Sequence, residues 1–171
     1  MSESAVHSFA PLLGSSAKAL VLGSMPGVQS LQAQQYYAHP RNAFWPIMAN
    51  YFGFKVDSSY QRRCLALTGR GLAVWDVLRA CVRPGSLDAS IRSATEVPND
   101  FADLLETHPI RTIVFNGAKA EASFKRHVQP QLDLGNIRLV RLPSTSPAHA
   151  AMAQVEKQTV WSAALLAAGL S

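Results

Sequence analysis

The sequence predicts an α/β protein: a three-layer α/β/α sandwich built on a short, mostly parallel, four-stranded sheet. Three observations predict it. Four short runs are rich in apolar residues: 19–22, 72–75 and 112–115 are almost continuously so, and 137–142 is apolar but for Arg138 and Arg141, as expected of strands in a largely buried sheet. Stretches of helical character separate them, and parallel neighbours need such crossovers. Each run also ends abruptly in a small or polar group: Gly23-Ser24, Asp76, Asn116-Gly117 and Pro143-Ser-Thr-Ser146. In an open parallel sheet these ends converge on one side, where ligands sit.

The elements follow in order. Residues 1–18 read as a lead-in, with 9–13 packing on the edge of the core. After the first strand, residues 23–45 form an extended loop. A helix then starts near Asn42 or Phe44, with Asn42 a candidate N-cap, and stops at Gly53. A second helix covers 60–68 behind Ser58-Ser59. After the second strand, residues 83–98 are rich in turn formers and read as one long irregular segment. Asn99-Asp100 cap a helix through 107, and a further helix covers 118–128. The chain ends in an alanine-rich helix with Val155, Val160, Trp161, Leu165 and Leu166 as its apolar members. No repeat or linker interrupts the 171 residues, so one domain spans 1–171.

Composition narrows the class. Nearly half the residues are apolar and only 16% charged, as in a globular chain, and the net charge of +5 suits a polyanionic partner. Cys64 and Cys81 are far apart and fit no metal spacing, so they read as two buried thiols. No run is long enough to span a membrane and no leader pattern opens the chain. A soluble, cytoplasmic protein without membrane contact is expected.

The loops carry the chemistry. Gly23-Ser-Met-Pro-Gly27 is a tight turn whose glycines allow close approach of a ligand. Residues 36–45 then bring Tyr36, Tyr37, His39, Asn42, Phe44 and Trp45 together. There is no GxGxxG, no GxxxxGK[ST], no GxSxG and no metal-spaced histidine pair. Asp76 is the one acid among the strand-end loops, so facing carboxylates are not expected. What remains is a pocket with aromatics for stacking, an amide and a carboxylate for edge recognition, and Ser/Thr loops for phosphate. A flipped nucleobase needs those groups.

With these residues in view, the chain resembles the uracil-DNA glycosylase superfamily, in its hypoxanthine (deoxyinosine) DNA glycosylase branch. The resemblance rests on residues 23–27, on Tyr36-Tyr-Ala-His-Pro-Arg-Asn-Ala-Phe-Trp45, and on Gly71-Leu-Ala-Val-Trp-Asp76. Phe115-Asn-Gly117 and Leu142-Pro-Ser-Thr-Ser-Pro147 complete it. It implies removal of a deaminated base, hypoxanthine first, from double-stranded or also single-stranded DNA by a monomer with no cofactor and no metal. Alternatives are a uracil or mixed-base glycosylase and a non-catalytic relative of the fold. The resemblance gives Asn42 the water-positioning role, and His39 donation to the leaving base or a phosphate. It assigns base binding to Ser24, Met25, Tyr37, Phe44 (or Trp45), Asp76 and Asn116. Ser144, Thr145 and Ser146 hold phosphates, and Ala148 or His149 reaches into the gap left in the stack. Leu142 departs from the pattern, because many relatives carry a hydrogen-bonding residue before that proline. The iron–sulfur cysteines of some relatives are also absent.

Overall fold

A computed structural model describes residues 4–171. Its strands are β1 (Val6–His7), β2 (Ala19–Gly23), β3 (Leu72–Asp76), β4 (Leu78–Cys81), β5 (Val97–Pro98), β6 (Thr112–Asn116) and β7 (Arg138–Leu142). Its helices are α1 (Val28–Ala33), α2 (Phe44–Phe52), α3 (Tyr60–Thr68), α4 (Ala102–Thr107), α5 (Ala118–His127) and α6 (Gln154–Ala167). The main sheet has the order β3-β2-β6-β7, and all its pairs are parallel.

Alternation of side chains across the pleat gives two cores. Leu20, Leu22, Ala73, Ile113 and Phe115 face one side, where α4 and α5 contribute Leu104, Ala120 and Phe124. Ala19, Val21, Val74 and Val114 face the other, against Phe44, Ile47 and Met48 of α2, Leu67 of α3, and Trp161 and Leu165 of α6. On β2, β3 and β6 both strand faces are therefore dry, which is why those runs read as continuously apolar, whereas Arg138 and Arg141 of the edge strand β7 are exposed. The three-layer expectation holds.

Several local expectations need correction. The lead-in is part of the fold: β1 pairs antiparallel with β4, and Leu12 bridges Val74 along the outer edge of β3. That cover hides an edge which would otherwise offer unpaired backbone. Residues 1–3 of the expected lead-in lie outside the described residues. β4 and β5 form a second, small antiparallel sheet with β1. The short run 78–81 follows Asp76 after a single residue, and its partners are distant in sequence, so no local signal marked it. A short helix, α1, interrupts the expected loop. On α6, Trp161 and Leu165 are buried one turn apart, but Val155 and Leu166 are exposed. Lys157 takes the inward position one turn before Trp161.

The order places a switch at β2 and β6. From β2 the chain moves outward to β3, and from β6 it moves the opposite way to β7. The carboxyl ends of adjacent strands therefore open a crevice between their loops.

Candidate active site

A cavity of about 770 Å³ fills that crevice. Gly23, Asp76, Asn116 and Ser144, one from each strand end, line it. So do Tyr37, His39 and Asn42 from the long first loop, and Ser86 to Ala89 from the irregular segment. This is the volume range of a small-molecule site.

Asp76 ends β3 and is only 3% exposed. Its backbone is fixed by Asn99, whose side-chain amide donates to the Asp76 carbonyl at 2.8 Å. The expectation that Asn99 caps α4 is thereby corrected; the neighbouring Asp100 carboxylate accepts from Ala102 N–H instead. A Cβ on Gly23 would lie 2.5 Å from Asp76 Oδ1 and 3.0 Å from the Tyr37 hydroxyl, so this position admits no side chain. Asp76 Oδ2 is buried without a hydrogen-bond partner. Burial, with Asp88 adding to it and Arg83 opposing it, pushes the carboxyl up to about 7.

Tyr37 has a left-handed backbone, φ 55°, uncommon for a bulky residue. Its ring stacks on Phe44 with centroids 4.1 Å apart. Its hydroxyl is buried and unpartnered, lying against the Asn116 amide without a well-formed hydrogen bond. Burial, reinforced by Asp76, raises the phenol well above its ordinary range, so the hydroxyl keeps its proton. Phe44 itself is fully buried, and neither it nor Trp45 lines the cavity. The expectation that one of them stacks on a ligand is corrected accordingly. Both begin α2 and are buried in the core; Tyr36 and Tyr37 are the tyrosine rings that border the cavity, with Phe44 stacked behind Tyr37. Tyr36 is committed elsewhere: its hydroxyl donates to the Ala10 carbonyl and its own carbonyl accepts from the Trp45 indole.

Asn42 serves two purposes. Its Oδ1 accepts from Phe44 N–H at 2.9 Å, which caps the start of α2. The second lone pair of that oxygen and both amide protons remain for the cavity. His39 Nδ1 accepts from Arg41 N–H at 3.0 Å, so the neutral ring carries its proton on Nε2.

Asn116 and Thr145 are bound to each other. The Asn116 amide donates to Thr145 Oγ1 and its oxygen accepts from Thr145 N–H, both at 2.9 Å. Thr145 also accepts from Ala43 N–H through its carbonyl. Thr145 is 1% exposed. In this structure the two side chains form a clamp that joins β6, α2 and the 143–149 loop at the cavity wall. Ser144 Oγ accepts from Ser146 N–H, and Ser146 Oγ from Ala148 N–H, so these hydroxyls shape the loop. A Cβ on Gly117, at φ 96°, would press to 3.1 Å on Ser144, so a glycine lets the loop close in. Ala148 and His149 are exposed at the rim, and the buried Lys157 ammonium donates to the His149 carbonyl at 2.6 Å. Leu142 is buried in the core and offers no polar atom.

The sequence reading missed the contribution of segment 82–98. Asp88 accepts from the Ser24 hydroxyl at 2.5 Å, giving the cavity a second acid. Arg83, 5% exposed, donates to the carbonyls of Met25, Pro26 and Gly85 and so locks the first loop from below. The polar density of 83–92 was the available signal, but nothing local shows which loop it meets.

Fold and cavity define an α/β protein with a polar-lined crevice at the carboxyl edge of its parallel sheet. A family model of the uracil DNA glycosylase superfamily matches residues 11–166, and the chain belongs to that superfamily. The hypoxanthine DNA glycosylase of Methanosarcina barkeri is 36% identical over 114 residues, 66% of this chain and 71% of that protein. That of Methanosarcina acetivorans is 38% identical over the same spans. A solution NMR structure of a candidate uracil DNA glycosylase from Methanosarcina acetivorans superposes with a TM-score of 0.80 at 29% identity, covering 97% of this chain and 99% of that one. The expectation of a DNA repair glycosylase, with DNA as the substrate class, is borne out at that level. Among the described residues no helix is long and apolar enough to cross a membrane.

Proposed function

We propose that the enzyme removes hypoxanthine from deoxyinosine in DNA by hydrolysing the N-glycosidic bond, leaving an abasic site. One observation carries this reading: two buried polar atoms without partners, Asp76 Oδ2 and the Tyr37 hydroxyl, border the same cavity. Unpartnered groups of this kind cost about 1–3 kcal/mol each unless a ligand satisfies them. Ionised Asp76 accepts only; the protonated Tyr37 phenol donates. Hypoxanthine presents an N1–H donor beside an O6 acceptor and satisfies both. Adenine sets its N1 lone pair against the carboxylate, which can only accept, so Asp76 is left unsatisfied and repelled. Guanine shares the N1–H and O6, but its stable pairing opposes extrusion.

Base departure breaks the C1′–N9 bond, and its electrons leave with the base. Asn42 holds the water that adds to C1′, and His39 Nε2–H hydrogen-bonds to the departing base anion or a flanking phosphate; the proton that the added water sheds passes through solvent to the released base, which leaves neutral. Phosphates beside the flipped nucleotide are held by the Ser144 and Ser146 hydroxyls, each of which accepts a loop N–H and keeps its own O–H to donate. The chain acts as a monomer in the cell, on duplex DNA and also on single strands, where the base is already unpaired.

The test is incubation with duplexes carrying inosine, uracil, xanthine or adenine, followed by cleavage at abasic sites. Inosine is expected to react fastest and adenine not at all. Uracil offers the same N–H beside a carbonyl and is the competing substrate; a faster uracil reaction would overturn the assignment of base.

A further inference from the structure

Positive charge gathers at the end of the sheet away from the cavity. The cavity lining carries two carboxylates, Asp76 and Asp88, and a single lysine or arginine, Lys119. At the amino edge of the main sheet the balance reverses. Each of the four strands begins beside a cation: Arg70 before β3, Lys18 before β2, Arg111 before β6, and Arg138 as the first residue of β7. The strand order sets them side by side. Lys18 N–H donates at 2.7 Å to the carbonyl of Gly71, the neighbour of Arg70. Arg111 N–H donates to the Lys18 carbonyl at 2.8 Å, and Arg138 N–H to the Arg111 carbonyl at 2.9 Å. The backbone beneath the row is therefore fixed rung by rung. All four residues are exposed, and among the described residues no acidic side chain pairs with any of them. Arg70 gives one donor to the Ser171 carbonyl. Helix ends do not account for the row. None of the four lies in a helix, and α2, α3, α4 and α6 have no basic residue in the last turn. Like charges on adjacent strands repel one another, so the row favours an anion from outside.

We propose that this row binds the phosphate backbone of a second DNA segment while the cavity engages the first. This rests on DNA as the substrate class and not on the choice of base. Across four strands the row spans about 14 Å, a length over which a duplex offers roughly eight phosphates. Long, exposed cations need no shaped pocket to displace counterions from such a surface. The strands are five residues long, about 16 Å, and that length keeps the row clear of the cavity. A chain that holds two segments can pass from one to the other without release into solvent.

The experiment mixes the full chain with an excess of a short undamaged duplex at low salt and reads the mass of the largest complex by analytical ultracentrifugation. One chain with two duplexes is expected. The triple variant Lys18→Gln/Arg111→Gln/Arg138→Gln changes only exposed positions, where folding is little affected. It should bind the second duplex about tenfold or more weakly. A control that removes the same charge elsewhere, Arg62→Gln/Arg79→Gln/Lys125→Gln, should stay within about threefold of the wild type. Single-turnover base release from an inosine duplex, with enzyme in saturating excess, should be alike in all three proteins. A wild type that holds one duplex only, two chains in the two-duplex complex, or an equal loss in the control would overturn the second site. So would displacement of the second duplex by polyglutamate at a lower charge concentration than by undamaged DNA, which would make an acidic protein the partner. A wild type that holds two duplexes but releases no base would support the second site and bring down the glycosylase reading alone.

Discussion

At the scale of single residues, Asn42 and Asp76 invite variants that separate structure from chemistry. Asn42 both caps α2 and borders the cavity. Serine caps a helix about as well as asparagine but cannot reach the same water. Asn42→Ser is therefore expected to keep its melting temperature and to lose single-turnover base release at least about tenfold, with DNA affinity nearly unchanged. Asn42→Ala should lose both rate and roughly 1 kcal/mol of stability. A wild-type rate in Asn42→Ser would leave Asn42 a cap and nothing more. For Asp76, the acceptor form is the ionised one, and its carboxyl is pushed up to about 7. The apparent second-order rate on inosine should thus rise with pH between about 6 and 8 and then level off. Because Asp88 contributes to that rise, Asp88→Asn should move the midpoint toward acid. Stability runs the other way. A carboxyl raised in the folded state stabilises most below its unfolded pKa, and that stability is lost as pH climbs through about 7. Asp76→Asn should therefore melt higher than wild type at pH 8 and alike at pH 4, while losing inosine rate and selectivity. Asp76 was legible in the sequence because it closes an apolar run. Asp88 was not, because its meeting with Ser24 spans sixty-four positions and depends on how segment 82–98 folds back.

Among the elements, the four strands and the helices packed on them were legible, since each carries its own periodicity and stop signal. What escaped was set by tertiary pairing. β4 exists because β1 and β5 flank it. Phe44 and Trp45 looked available for stacking because they sit beside a loop, yet the direction of α2 turns both into the core. The 143–149 loop shows the same principle. Its serine-rich composition reads as phosphate binding, while Thr145 spends its polar groups on Asn116 and Ala43. Thr145→Val would leave the buried Asn116 amide without its acceptor, at a cost of about 1–3 kcal/mol. A melting temperature lower by roughly 2–12 °C is expected in a domain of this size. Thr145→Ser keeps the hydroxyl and should recover most of that loss. If valine melts as the wild type does, the clamp contributes nothing and the loop is held from its other end, by Lys157 at His149.

For the molecule as a whole, affinity and selectivity have separate physical origins. The net charge of +5 attracts the phosphate backbone without regard to sequence. On the proposed function, choice among bases falls to Asp76 and Tyr37 inside the cavity, where salt scarcely penetrates. Counterion release weakens backbone binding steeply, so affinity for inosine duplex should fall at least about tenfold between 50 and 200 mM salt. The ratio of saturated single-turnover rates on inosine and uracil should stay constant across that range, because neither neutral base edge releases counterions when it meets the pocket. Measuring both substrates at several salt concentrations, with enzyme in saturating excess, checks the two halves together. A flat affinity would mean that the positive charge does not face DNA. A selectivity ratio that drifts with salt would mean that discrimination happens on the surface, during encounter and extrusion, and that the buried Asp76–Tyr37 pair is not what distinguishes one base from another.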